Sequence, residues 1–155
     1  MTESEFQTKR RVWLLSYAAL FIWICVIFYL SSESGSMNKT SAFIRPLLEF
    51  LFPSDTEESL QIYHAYIRKF AHLSVYGILG ILSSRAFLTR KHLRWIVYSI
   101  IVCALVAILD ETNQSFISTR TGSVYDVLLD CVGAVFGIAV TWYVNHRYSI
   151  RNLRG

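Results

Sequence analysis

The sequence predicts an all-α integral membrane bundle of four transmembrane helices. Three observations predict it. Hydrophobic residues make up 54% of the 155-residue chain, the mean hydropathy is +0.40, and apolar runs recur at the length that crosses a hydrocarbon core of about 30 Å as a helix. The whole chain, residues 1–155, reads as one membrane domain without internal repeats or low-complexity tracts. Three cysteines, Cys25, Cys103 and Cys131, each lie inside an apolar run. An odd number with no CxxC or Cys/His spacing points away from a disulfide framework and from a zinc site.

The first span covers residues 12–30. Lys9, Arg10 and Arg11 precede it as they would a signal peptide, but the run is longer than an ordinary signal core and no small-x-small site closes it. The segment 31–68 that follows is the largest extramembrane piece. Within it "SAFIRPLLEFLF" mixes bulky apolar residues with Arg45, Pro46 and Glu49, as an interfacial or re-entrant segment does. "SDTEE" then offers Ser54 as an N-cap with Glu57 three residues on, a capping-box signal for a helix continuous with the second span. The remaining spans are expected at about 70–88, 93–114 and 124–146.

The net charge of +4 would suggest a nucleic-acid partner on a soluble chain. Here the basic residues follow topology instead, and no nucleic-acid partner is expected. Residues 1–11, 89–94 and 147–155 carry nine Lys/Arg, with Arg85 a tenth, against five (Lys39, Arg45, Arg68, Lys69 and Arg120) on the opposite side. The excess in short loops places both termini in the cytoplasm of a multi-pass protein. A reporter fused to the C-terminus is expected to be active only inside the cell, and activity only outside would reverse the topology.

Polar residues converge at the outer end of three spans. Lys69, His72 and Tyr76 share one face of the second. Asp110, Glu111 and Gln114 close the third, in "ILDETNQSF". Asp126, Asp130, Gly133 and Gly137 repeat at four, three and four along the fourth, where the glycines predict close packing against a neighbouring helix. Isolated charge in lipid is costly. The acids therefore either form a structural ion-pair lock with Lys69, His72 and Arg120, or hold a cation, take up protons or meet water.

The stretches "RKFAHLSVYGILG" and "LDETNQSFISTRTGSVYDVLLDCVGAVFG" resemble the VanZ-like family of small bacterial membrane proteins. The family pattern is Lys-x-x-His-x-x-x-Tyr, Asp-Glu-x-x-Gln at a helix end, a following Arg, then an Asp and a Gly-x-x-x-Gly helix. It falls here on Lys69, His72 and Tyr76, on Asp110, Glu111 and Gln114, on Arg120, on Asp126, and on Gly133 with Gly137. Two departures stand out: Asp130 where many relatives have Asn, and Thr119 where many have Gly. The resemblance implies a role in the cell envelope, in the bacterial cytoplasmic membrane, and for some members lowered susceptibility to glycopeptides such as teicoplanin.

Two readings of the site follow. In the first, a membrane enzyme acts on a lipid-linked envelope component, with Glu111, His72, Asp110 and Asp126 as acid, base or charge-stabilising groups. Lys69, Tyr76, Gln114, Arg120 and Asp130 hold the substrate. A divalent metal on oxygen ligands with His72 is compatible, although the spacing specifies no metal. In the second, the site captures an anionic lipid, a wall precursor or a lipoglycopeptide without chemistry, or regulates an envelope partner. A lipid or proton-coupled transporter is the weaker alternative, because the cytoplasmic halves "CALVA" and "AVFGIAVTW" offer no polar route inward.

Overall fold

The computed structural model describes residues 2–32, 37–88, 94–117 and 122–154, with side chains at all of these except 9, 37–43, 148 and 150–154. It is all-α, with five helices and no strand among the described residues: α1 (Glu3–Ser31), α2 (Met37–Leu51), α3 (Glu57–Phe87), α4 (Arg94–Ser115) and α5 (Val124–Arg154). Four of them, α1, α3, α4 and α5, are long and apolar enough to cross a membrane. α1 and α4 finish, and α3 and α5 begin, at one end of the bundle.

Three of the helices, α1, α3 and α5, start where the sequence supplies partners for free backbone N–H groups. At α1, Thr2 Oγ1 accepts from Glu5 N at 3.4 Å while Thr2 N donates to Glu5 Oε2 at 2.9 Å, a full capping box. At α3 the cap is Thr56, which accepts from Ser59 N at 3.3 Å, and not the expected Ser54. Residues 53–55 form a turn instead, in which Asp55 accepts from the Tyr63 hydroxyl at 2.9 Å. The expected continuity holds: one helix runs from Glu57 through the whole second span. At α5, Ser123 Oγ accepts from Tyr125 N at 3.2 Å.

The bundle is organised around α3, which contacts all four other helices and shares its largest interface with α5. Glycines set that interface. A Cβ on Gly133 would collide with the Leu73 carbonyl oxygen, one on Gly80 with that of Ala134, and one on Gly137 with that of Gly77. Without side chains between them the two backbones touch, the arrangement that holds helices together where lipid is as apolar as the side chains. On the far side of α3, α1 packs through Leu20 and Ile27 into a core of Tyr76, Leu79, Cys103, Val106 and Ala107. Trp23 Nε1 donates to the Val75 carbonyl across that contact at 3.0 Å. The outer faces carry exposed Phe21, Ile22, Leu105 and Phe136, an apolar exterior suited to lipid.

The interfacial segment expected between the first two spans is α2, an amphipathic helix that packs on α3. Leu48 is buried while Leu47, Phe50 and Leu51 are exposed. Arg45 ties it down, donating to Glu49 Oε1 at 2.8 Å and to Glu57 Oε2 at the start of α3 at 2.7 Å. The hydrogen bond with Glu49, then the charge of Glu57, raise the Arg45 guanidinium above its ordinary pKa, so this latch stays charged.

Candidate functional site

The polar residues of α3, α4 and α5 meet at the end of the bundle opposite the termini. The glycine crossing positions them. Because Leu73 touches Gly133, the preceding His72 faces Asp130 one turn earlier on α5, and His72 Nδ1 lies 3.1 Å from Asp130 Oδ1. One turn deeper on α3, the Tyr76 hydroxyl donates to Asp110 Oδ2 on α4 at 3.1 Å. Gln114 Nε2, four residues along α4, donates to the same oxygen at 3.3 Å. Glu111 accepts from the Ser123 backbone N–H through Oε2 at 3.0 Å. That bond needs the loop to pass close to α4, and Gly122 allows it: a Cβ there would collide with the Glu111 carbonyl oxygen.

Three carboxylates are thereby buried almost completely, Asp110 at 2%, Glu111 at 4% and Asp130 at 0% exposure. Each has one oxygen engaged by a protein donor and one with no partner: Asp110 Oδ1, Glu111 Oε1 and Asp130 Oδ2. Among the described residues no Lys or Arg forms an ion pair with any of them; the one pairing is His72 with Asp130. Buried acceptors left in this state are costly. One ligand atom each from His72, Asp110, Glu111 and Asp130 lie within 4.8 Å of one another.

A cavity of about 190 Å³ opens onto this cluster through His72 and Asp110. Ile27, Ile44, Ile67 and Val75 from α1, α2 and α3 give it apolar walls. His64, Arg68 and Ser31 add polar side chains to the same lining. His64 Nε2 and Ser31 Oγ are buried without partners, and Arg68 Nη2 donates to Gln114 Oε1 at 3.3 Å.

Of the nine site residues expected from the sequence, the fold brings six together: His72, Tyr76, Asp110, Glu111, Gln114 and Asp130. Asp126 is half-buried one turn before Asp130, close enough to act electrostatically on Glu111 and Asp130. Lys69 is exposed and makes no hydrogen bond or ion pair among the described residues. Arg120 lies outside the described residues. In place of Lys69 its neighbour Arg68 faces the cavity, and with it His64, which sequence reasoning passed over. The signal was present: His64, Arg68, His72 and Tyr76 recur every four residues, a polar ridge that turns slowly around α3 and descends to the acids.

The chain matches the family described as VanZ/LLP1 over residues 16–145. Neither a curated protein nor a solved structure matches it.

Proposed function

The chain belongs to the VanZ/LLP1 family, and on that basis and from the site we propose that it is an enzyme of the bacterial cytoplasmic membrane acting on the polar head of a lipid-linked envelope component. One observation carries the reading: an apolar cavity of lipid-chain character ends on His72 and Asp110, at the edge of a cluster of buried carboxylates that each keep one oxygen without a partner. Aliphatic walls admit a hydrocarbon chain. The floor has no use for one.

In this reading the termini are cytoplasmic and the site faces outward, as the basic loops direct. His64, Arg68 and Ser31 hold an anionic head group on one side. Tyr76 and Gln114 fix Asp110, and Ser123 fixes Glu111, so that one oxygen of each carboxylate is free to take a proton or stabilise developing charge. His72, oriented by Asp130, is the second proton-transfer group. Asp126 tunes the field of the cluster, and the exposed Lys69, next to Arg68 on α3, attracts anions.

Overexpression in a bacterial host is expected to change the abundance of specific lipid-linked envelope species or wall fragments by mass spectrometry, deletion to change them in the opposite sense, and overexpression to lower teicoplanin susceptibility. Unchanged lipids and wall fragments in both strains would contradict the enzyme reading. A second reading, capture of an anionic lipid, wall precursor or lipoglycopeptide, is favoured by the donor wall of His64, Arg68 and Ser31, which can hold an anion without chemistry. Capture predicts calorimetric binding with no change in envelope composition.

A further inference from the structure

We propose that Asp110, Glu111, Asp130 and His72 bind one divalent cation at the floor of the cavity. Two atoms that each lie about 2.1 Å from a small cation are at most about 4.2 Å apart, and at the about 2.4 Å of a larger one at most about 4.8 Å. The four ligand atoms here fall within 4.8 Å of one another, so one ion can reach all four with little movement.

The carboxylates are also arranged as ligands are. Metal-binding side chains are held by a surrounding layer of hydrogen bonds that orients them and leaves a lone pair for the ion. Asp110 is held by the Tyr76 hydroxyl and Gln114 amide on Oδ2, Glu111 by the Ser123 N–H on Oε2, and Asp130 by His72 on Oδ1. The second oxygen of each, Asp110 Oδ1, Glu111 Oε1 and Asp130 Oδ2, is buried and unpartnered. A structural lock would place Lys or Arg against these oxygens. Among the described residues Arg68 instead bonds the neutral Gln114, and the one basic group against the acids is His72, on the already engaged Oδ1 of Asp130.

A cation also reconciles the two halves of the cavity. An anionic head group held by His64 and Arg68 would otherwise abut like charge on Asp110. With a divalent ion on the acids, a phosphate or carboxylate oxygen of the head group can complete the ion's coordination from the cavity side, where His72 and Asp110 are reached. Three carboxylates and one imidazole suit Mn2+, or Ca2+ at the full 4.8 Å spread, better than the smaller Mg2+ or Zn2+. This deepens the function proposed above but stands on the geometry of the cluster alone.

The test uses the full-length chain purified in detergent, stripped with EDTA and titrated with Mn2+, with free Mn2+ read by electron paramagnetic resonance and the unfolding midpoint read in parallel. One Mn2+ per chain and a midpoint that rises with its concentration are expected. Asp110→Asn and Asp130→Asn are each expected to weaken binding by at least about tenfold, while Glu58→Gln, an exposed acid at the start of α3, leaves it unchanged. The metal-free midpoints of the variants show that they are folded. Failure of Mn2+, Mg2+, Ca2+ and Zn2+ alike to shift the midpoint would overturn the proposal, as would binding undiminished in both Asn variants. Binding without any change in envelope lipids would remove the enzyme and keep the metal site; lipid conversion undiminished in EDTA, with no binding, would do the reverse.

Discussion

Gly137→Leu is expected to separate α3 from α5 and to prevent folded protein from accumulating in the membrane. The first side-chain carbon would collide with the Gly77 carbonyl oxygen, and the Gly77 carbonyl carbon and Ile81 nitrogen would lie 3.0 and 3.1 Å away. All three are backbone atoms of a helix, so none can rotate aside. Even the single methyl of Gly137→Ala must open the crossing, at about 1–3 kcal/mol by the usual cost of overpacking, and leucine adds three more carbons. Apolar side chains gain little by leaving lipid for protein, so backbone contact is much of what holds these helices together. Membrane abundance and the unfolding midpoint in detergent check this. Alanine should fall between wild type and leucine, and Phe136→Leu, at an exposed neighbour, should match wild type. A Gly137→Leu protein with wild-type abundance and midpoint would show that the crossing is looser than described. The site depends on the same contact, because the Leu73–Gly133 approach brings His72 within 3.1 Å of Asp130.

Asp110→Asn is expected to act in the opposite direction on stability while removing function. The asparagine oxygen can keep both bonds that Asp110 Oδ2 accepts, from Tyr76 and Gln114. Its amide puts a donor where Asp110 Oδ1 has no partner. Neutralising one of three buried acids and supplying a donor to the others should raise the metal-free stability by about 1–3 kcal/mol, the usual penalty of an unsatisfied buried polar group. An ion-pair lock makes the contrary prediction: removing one partner strands the other charge and destabilises by about 3–5 kcal/mol. A gain in stability together with lost activity is the behaviour of a site held in a strained, ligand-ready state. A lowered midpoint for Asp110→Asn would favour the lock.

The spans were the legible part of the fold. A run of about 20 apolar residues has few alternatives to a membrane helix, and α4 and α5 begin within a residue of the positions expected from 93 and 124. The glycines were equally readable: Gly133 and Gly137 pack as their spacing predicts, because only a bare backbone allows α5 to lie against α3. What the sequence hid was phase. Polar residues mark a helix face only to within the angle between neighbours, and that was enough to favour Lys69 over Arg68, although only Arg68 lines the cavity. The cap of α3 was misplaced for a related reason. Ser54, Asp55 and Thr56 all carry capping oxygens, and the choice fell to Thr56 because Asp55 is engaged by Tyr63 two turns into the helix. The partnerless oxygens of the acids depend on which donors reach them, and those donors come from two helices and a loop.

The central claim is that the buried acids form a working site, and Glu111→Gln tests it most directly. The substitution keeps an oxygen for the Ser123 N–H and removes only the charge. The measurement is the conversion of lipid-linked envelope species in cells expressing wild type or Glu111→Gln at the same membrane level. The account predicts that conversion falls by about 10²–10⁴-fold, the contribution of a positioned acid or base, with abundance unchanged. Conversion equal to wild type would contradict it.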